Sequence, residues 1–331
     1  MQFIGDTGSY QITKGSSLLI TIPITFDIYS FSVASSSCVA VSGFSDEISC
    51  VLTGSPSGGY LLQVLSGFSS QAFTGGQFAF NISEIRNPKN SKPTDSFAFR
   101  VLDSAGNEEF VFSQILQLQM VPQPFEFAVV SSSSPVNGQS ALYTFTLTFS
   151  VDTPIGSYIQ VTLPSEVTLD SSKPLVCQGV LNLNKTFGGG CVLKNDRVFV
   201  FAIGSDKYNV TQIGNGTSVS FQLGYFFNPV SSEQSGPFQV QTFETSSSNT
   251  QYYYINQDLE DVRIQNSQDG FIQNFSVTQY GTQLNSATAI RVAFQTENAI
   301  PQGSVVVLTV PNSMQTNDTK GLEVTLNGGK A

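Results

Sequence analysis

Apolar and polar side chains alternate along short stretches of this chain, and one nine-residue version of that alternation is written three times. It reads GSSLLITIP from Gly15 to Pro23, GSYIQVTLP from Gly156 to Pro164 and GSVVVLTVP from Gly303 to Pro311. In the middle copy Ile159, Val161 and Leu163 alternate with Tyr158, Gln160 and Thr162, the period of a strand with one buried face. Leu18, Ile20 and Ile22 take the inward positions in the first copy, and Val306, Leu308 and Val310 in the third. The Gly-Ser lead permits a turn into the strand, and the closing proline, with no N–H to donate, ends its ladder.

The register reaches beyond this motif. Gly15 and Gly156 are 141 residues apart, and the same offset carries Cys50-Val51-Leu52 onto Cys191-Val192-Leu193, Asn87-Pro88 onto Asn228-Pro229, and Phe97 onto Phe238. It also lays FAFNI (Phe78 to Ile82) on VSFQL (Val219 to Leu223), whereas the third copy follows at an offset of 147. No stretch of useful length has the helical period, so the pattern predicts an all-β chain of tandem β-sandwich, Ig-like repeats of about 140 residues. The expected units are residues 1–121, 122–263 and 264–331, the first and last incomplete. The second unit opens with a leading strand in which Tyr143, Phe145, Leu147 and Phe149 alternate inward, and the third has the like in Ile290, Val292 and Phe294. The first reaches its Gly-Ser after only 14 residues and is expected to lack that strand, which leaves a sheet edge for further repeats or another molecule to cover.

Composition narrows the partners. Of 331 residues, 27 are Phe and 11 Tyr, none is Trp or His, and only 11% are charged, with a net charge of −10. That balance repels a phosphate backbone and argues against nucleic acid. No apolar stretch approaches the roughly 20 residues of a membrane-spanning helix. The opening MQFIGDTGSY lacks the basic and apolar segments of a signal peptide, so the expectation is either a processed chain or part of a longer one.

The four cysteines fall as Cys38 with Cys50 and Cys177 with Cys191, one pair in each of the first two units. Pairing inside the repeat predicts two local disulfides and an oxidising compartment, extracellular or at the cell surface. Six Asn-X-Ser/Thr sequons, at Asn81, Asn184, Asn209, Asn215, Asn274 and Asn317, are candidates for N-linked glycans in a eukaryotic secretory pathway. Asn81 stands between Phe80 and Ile82 and should point away from their face, and Asn274 has the same relation to Phe275.

Absence of histidine removes the Ser-His-Asp and Cys-His arrangements and imidazole metal sites. No phosphate-loop, dinucleotide or calcium-loop pattern is present, and Gly188-Gly189-Gly190 beside Cys191 reads as a disulfide loop. The acidic stretch from Asp103 to Glu109 lies between two apolar strands as a hairpin turn would, and Asp258-Leu259-Glu260-Asp261 reads as a strand end more than as a calcium site. The expectation is a protein without catalytic, cofactor or metal residues.

Tandem β-units, the Gly-Ser strand, and one Cys pair and one Asn-Pro turn per unit make the chain resemble Ig-like or cadherin-like arrays of large extracellular surface and filament proteins, in the style of ciliate and other protist secreted repeat proteins. Unlike true immunoglobulin domains it has no core Trp, and its paired cysteines are only 12 or 14 residues apart. The resemblance implies a structural or adhesive role outside the cell, and the incomplete first and last units add the expectation of a filament or surface coat assembled head to tail by strand complementation. The alternative is an adhesin or glycan-binding module, for which Tyr252-Tyr253-Tyr254 is the candidate surface.

Overall fold

The computed structural model describes residues 1–28, 38–55, 59–83, 85–183, 191–204, 211–266, 268–281, 283, 288–297, 300, 303–309 and 311, with side chains omitted at 55 and 113–116. These residues are all-β, and no helix among them is long and apolar enough to cross a membrane. Residues 1–269 form one compact unit and 270–331 another.

The first unit contains two layered sets of strands. The first set is β1 (Gln2–Asp6), β2 (Ser17–Ile22), β3 (Asp27–Ile28), β4 (Cys38–Ser42), β5 (Ser49–Ser55), β6 (Gly59–Leu65), β7 (Gln77–Ile82), β8 (Ile85–Arg86), β9 (Phe97–Leu102) and β10 (Glu108–Leu116). A sheet ordered β1-β7-β4 and a sheet ordered β10-β9-β2-β6-β5 hold between them a core of Leu18, Ile20, Leu62, Phe68, Phe78, Phe80 and Val101, each at most 1% exposed. Burying a large apolar side chain in this way contributes about 1.5–3 kcal/mol.

The second set is β11 (Phe127–Ser132), β12 (Ser140–Thr148), β13 (Thr153–Pro154), β14 (Tyr158–Thr162), β15 (Thr168–Leu169), β16 (Val176–Leu181), β17 (Val192–Asn195), β18 (Val198–Ala202), β19 (Gln212–Ile213), β20 (Ser218–Phe227), β21 (Gln239–Thr245) and β22 (Tyr252–Asp258). One sheet runs β11-β12-β20-β15 with β16 also on β20, and the other β17-β18-β14-β21-β22. Strand β12 shows why the sequence folds so, since Ala141, Tyr143, Phe145 and Leu147 point inward at 0–1% exposure while every residue between them stays half-exposed.

The two sets share their register. Ser17 pairs Leu102 between β2 and β9, and Tyr158 pairs Phe243 between β14 and β21, both partners moved by 141. Asp27 pairs Arg86 and Thr168 pairs Phe227, again both moved by 141. The Gly-Ser turns agree as well: Gly15, Gly156 and Gly303 have φ of 86°, 95° and 89°, a left-handed backbone that a residue with Cβ adopts at a cost.

Strand β1 corrects the expectation that the leading strand is missing. It pairs Asp6 with Gln77 on β7 as β12 pairs Thr148 with Ser218 on β20, so it occupies the place of the second half of β12. What the first set lacks, among the described residues, is a counterpart of β11. The boundaries also differ from those the sequence suggested. Ile264 is 6% exposed and Asn266 4%, and Ser235 donates its N–H to the Ile264 carbonyl at 2.8 Å, so residues 264–269 belong with the second core.

In the second unit β23 (Ile272–Gln279) and β24 (Ile290–Thr296) form a hairpin. Gln279 pairs Ile290 as Ser132 pairs Tyr143 between β11 and β12, each partner moved by 147. The third Gly-Ser copy is expected to form a strand, but among the described residues 303–309 have no strand partner, and Val305 to Leu308 are 81%, 52%, 82% and 51% exposed. Among the described residues no strand flanks this copy as β6 and β9 flank β2.

Candidate functional site

The features with a bearing on function lie at the sides and ends of the sandwiches. Cys38 in β4 is bonded to Cys50 in β5 with their Cα atoms 6.0 Å apart, and Cys177 in β16 to Cys191, just ahead of β17, at 5.9 Å. Each bond ties an edge of one sheet to the facing edge of the other, within ordinary disulfide reach. Two such bonds fit an oxidising environment.

At the opposite side of the second sandwich the outer edge of β22 receives the first sandwich. Ser91, in the loop after the Asn87-Pro88 turn, donates its N–H to the Tyr254 carbonyl, and the Tyr254 N–H donates to Ser91 Oγ, both at 2.8 Å. Further along, the N–H of Gln123 donates to Ile255 at 3.1 Å and its carbonyl accepts from Gln257 at 2.9 Å. Around these bonds Asn90 donates to Glu244, Lys89 reaches Asp152 at 3.6 Å, and Lys92 lies 5.9 Å over the Tyr253 ring. Asp152 accepts the Asn215 N–H, and that bond, helped by Lys89, holds its carboxyl below the usual range. The contacts enclose a hollow of about 240 Å³ lined by Asn87, Pro88, Met120, Val121, Tyr254 and Ile255 among others. Chemically the junction fixes two sandwiches to each other and uses up a strand edge that would otherwise be open.

The acidic side chains are committed to turns and to cross-strand contacts. Asp103 accepts from the N–H groups of Ala105 and Asn107 at 2.8 Å and from the Asn107 amide at 3.0 Å, bonds that lower its pKa. Glu108 pairs with Arg100 at 2.9 Å, and Glu109 accepts from Ser16 Oγ at 2.8 Å. Asp258 accepts from the N–H groups of Glu260 and Asp261 at 3.2 and 3.0 Å.

The tyrosine triad divides between the two faces of its strand. Tyr252 and Tyr254 pack on Phe243 with ring centroids 4.7 and 6.0 Å away, while Tyr253 faces Lys92. Lys194 lies 4.4 Å over the Tyr252 ring and donates to its hydroxyl at 2.9 Å. That ring face, which a sugar would stack on, carries an ammonium group instead.

No protein-family model matches the chain, and no curated protein sequence matches it. Several solved structures have a distant likeness to it, among them the following three. BslA, a bacterial hydrophobin, is 14% identical over 43% of this chain and 99% of its own, with a TM-score of 0.25. The type II cohesin dyad from the adaptor ScaA scaffoldin of Acetivibrio cellulolyticus is 10% identical over 74% and 82%, with a TM-score of 0.21. A protein of Corynebacterium diphtheriae described as membrane anchored is 9% identical over 80% and 86%, with a TM-score of 0.24. At such TM-scores none of them bears on what this chain does.

Of the sequons, Asn81 lies exposed on the central strand of the three-stranded sheet, Asn215 in an exposed turn, and Asn274 exposed on β23 at a φ of 53°. Asn184, Asn209 and Asn317, and the glycine run at Gly188 to Gly190, lie outside the described residues. Ser91 and Gln123 were not singled out from the sequence. Nothing local marks them, because their partners are 163 and about 130 residues away.

Proposed function

We propose that the chain is a non-enzymatic extracellular building block, a run of like β-sandwiches that extends into a filament or cell-surface coat. The observation that carries this reading is the shared register of the two sandwiches at an offset of 141, joined without a flexible linker by the β22 edge contacts. A junction that fixes one unit on the next passes orientation along the chain, which a fibre or coat needs and a soluble enzyme does not. Partners are further units of the same kind, either other copies or more of the same chain. The exposed Asn81, Asn215 and Asn274 would carry N-linked glycans in a eukaryotic secretory pathway. The test is sedimentation velocity and negative-stain electron microscopy of the oxidised full chain over a range of concentrations. End-to-end strings with a regular spacing are expected. A monomer at every concentration, or a monomer that turns over or tightly binds a small ligand, would count against the reading.

A further inference from the structure

The disulfide Cys38–Cys50 staples β4 to β5 and so closes one side of the first sandwich. The other side, between β1 and β10, has no staple. In the second sandwich the corresponding side is closed by Gln123 on β22, by Phe125, 5.8 Å from Phe149, and by β11, which runs along β12 from Phe127 opposite Thr148 to Ser132 opposite Tyr143. Phe125 and Val130 are thereby 7% and 5% exposed. No described segment does this for the first sandwich, and its Phe99, Phe110 and Phe112, which pack on the core, are only half-buried. Val240, in the place of Phe99, is 0% exposed.

The edge of β1 is open in its backbone too. The amino group of Met1 donates to the Ile82 carbonyl and the N–H of Thr7 to that of Gly76, so odd-numbered residues face β7 and Gln2, Ile4 and Asp6 turn their N–H and C=O outward. Their counterparts Thr144, Thr146 and Thr148 are the residues that face β11, as the bond from the Glu126 N–H to Thr148 at 3.0 Å shows. Ile4 is 64% exposed. Neither β1 nor β23 contains the Lys or Pro with which proteins commonly blunt an edge.

In the second unit β23 has the complementary deficit. It stands where β11 stands, with Ile272, Phe275 and Val277 in the places of Phe125, Ala128 and Val130, yet those three are 61%, 57% and 54% exposed. A two-stranded ribbon of this kind is marginal by itself. Among the described residues the first sandwich thus presents a β12-type edge without its β11, and β23 is a β11-type strand with its apolar side exposed.

We infer that the open side of the first sandwich accepts β23 of a second copy, which adds to the outer edge of β1 and covers Phe99, Phe110 and Phe112. The inference rests on the array reading and names the contact by which the array would grow. Donor and acceptor are different surfaces, so the contact is heterologous and propagates.

The experiment uses the oxidised full chain. Ile4→Pro removes an N–H that β7 does not use, and so blocks an added strand while sparing the β1 pairing. Ile4→Lys puts a charge at the same edge and serves as a second variant. Each should weaken self-association roughly tenfold or more, the effect of losing one to two edge hydrogen bonds. In parallel, a benzophenone side chain at position 4 is photolysed in a mixture of isotope-labelled and unlabelled chains. Adducts between copies that map to residues 271–280 are expected. If assembly persists unchanged in both variants, or the adducts map elsewhere, this contact is wrong and the array reading survives. If the unmodified chain stays monomeric at all concentrations, both are wrong.

Discussion

Ser91 and Tyr254 hold each other by two hydrogen bonds of 2.8 Å, one from the Ser91 N–H to the Tyr254 carbonyl and one from the Tyr254 N–H to the Ser91 hydroxyl. Through them a loop of the first sandwich pairs with the last strand of the second. Ser91→Pro removes the N–H and the hydroxyl together, at about 1 kcal/mol for each bond, and leaves both cores intact. The expected outcome in calorimetry is that one coupled transition becomes two, with a broader distance distribution in small-angle scattering. Unchanged coupling in the variant would mean that the remaining contacts, those of Lys89, Asn90, Lys92 and Gln123, suffice to fix the junction.

The two disulfides should differ in their response to reductant. Cys38 and Cys50 are each 2% exposed, whereas Cys177 and Cys191 are half-buried. Thiolate attack needs access to a sulfur. Native-state reduction followed by alkylation and peptide mapping should therefore label Cys177 and Cys191 first, and Cys38 and Cys50 only as the first sandwich opens. Loss of either bond costs about 3 kcal/mol by loop entropy for chains of this spacing.

Much of the architecture was legible where inward positions alternate without interruption, as along β12 and β14, and where glycine marks a left-handed turn, as at Gly15 and Gly156. Strand β1 was not, because its inward pattern is Phe3 then Gly5, and the glycine hides the period. The reason lies on another strand: a Cβ at Gly5 would sit 2.3 Å from Cζ of Phe78, whose ring fills the place of the missing side chain. Phe243 shows the opposite limit of the pattern. It pairs with Tyr158 on the outward face of its sheet yet is 1% exposed, covered by Tyr158, Tyr252, Tyr254 and Lys194. Periodicity reports which face a residue takes but not what lies on that face. The junction was illegible for a related reason, since its bonds join irregular segments to a strand far away in the chain.

Asp46 sets a pH limit on the first sandwich. It accepts from the Ser70 N–H at 2.7 Å, from Ser45 Oγ at 2.8 Å and from Ser69 Oγ at 3.0 Å, and these bonds, the first above all, pull its pKa down to about 2. A carboxyl whose folded pKa lies below its unfolded value of about 3.9 contributes stability that is present above that value and lost as pH falls through the folded pKa. Urea midpoints of the wild type and Asp46→Asn should therefore differ most at neutral pH and converge as pH approaches about 2. A difference independent of pH would show that the carboxylate charge is not what holds the loop after β6 to the turn after β4.

Asn228 and Asn87 occupy the same place in the repeated Asn-Pro turn, but substitution should separate them. Asn228 is 1% exposed, and its carbonyl oxygen accepts from Tyr143 Oη at 2.7 Å and Ser132 Oγ at 2.9 Å. Its amide nitrogen donates to the carbonyls of Ser134 and Val136 at 2.9 and 2.8 Å, so the whole hydrogen-bonding capacity of the side chain is used. Three of those four partners lie on β11 or the loop that follows it, the segment for which the first sandwich has no described counterpart. Asn87 is correspondingly exposed. Asn228→Ala takes away the bonds to the buried Tyr143 hydroxyl, the Ser132 hydroxyl and the Ser134 carbonyl, while the Val136 carbonyl keeps the Gln139 N–H at 3.4 Å, and should cost about 2–4 kcal/mol, whereas Asn87→Ala should stay within about 0.5 kcal/mol. Tyr143→Phe removes one bond of the four and should fall between them. Urea unfolding of the three variants decides the matter, and equal costs at positions 87 and 228 would mean that the turn itself, and not the strand it anchors, is what the asparagine stabilises.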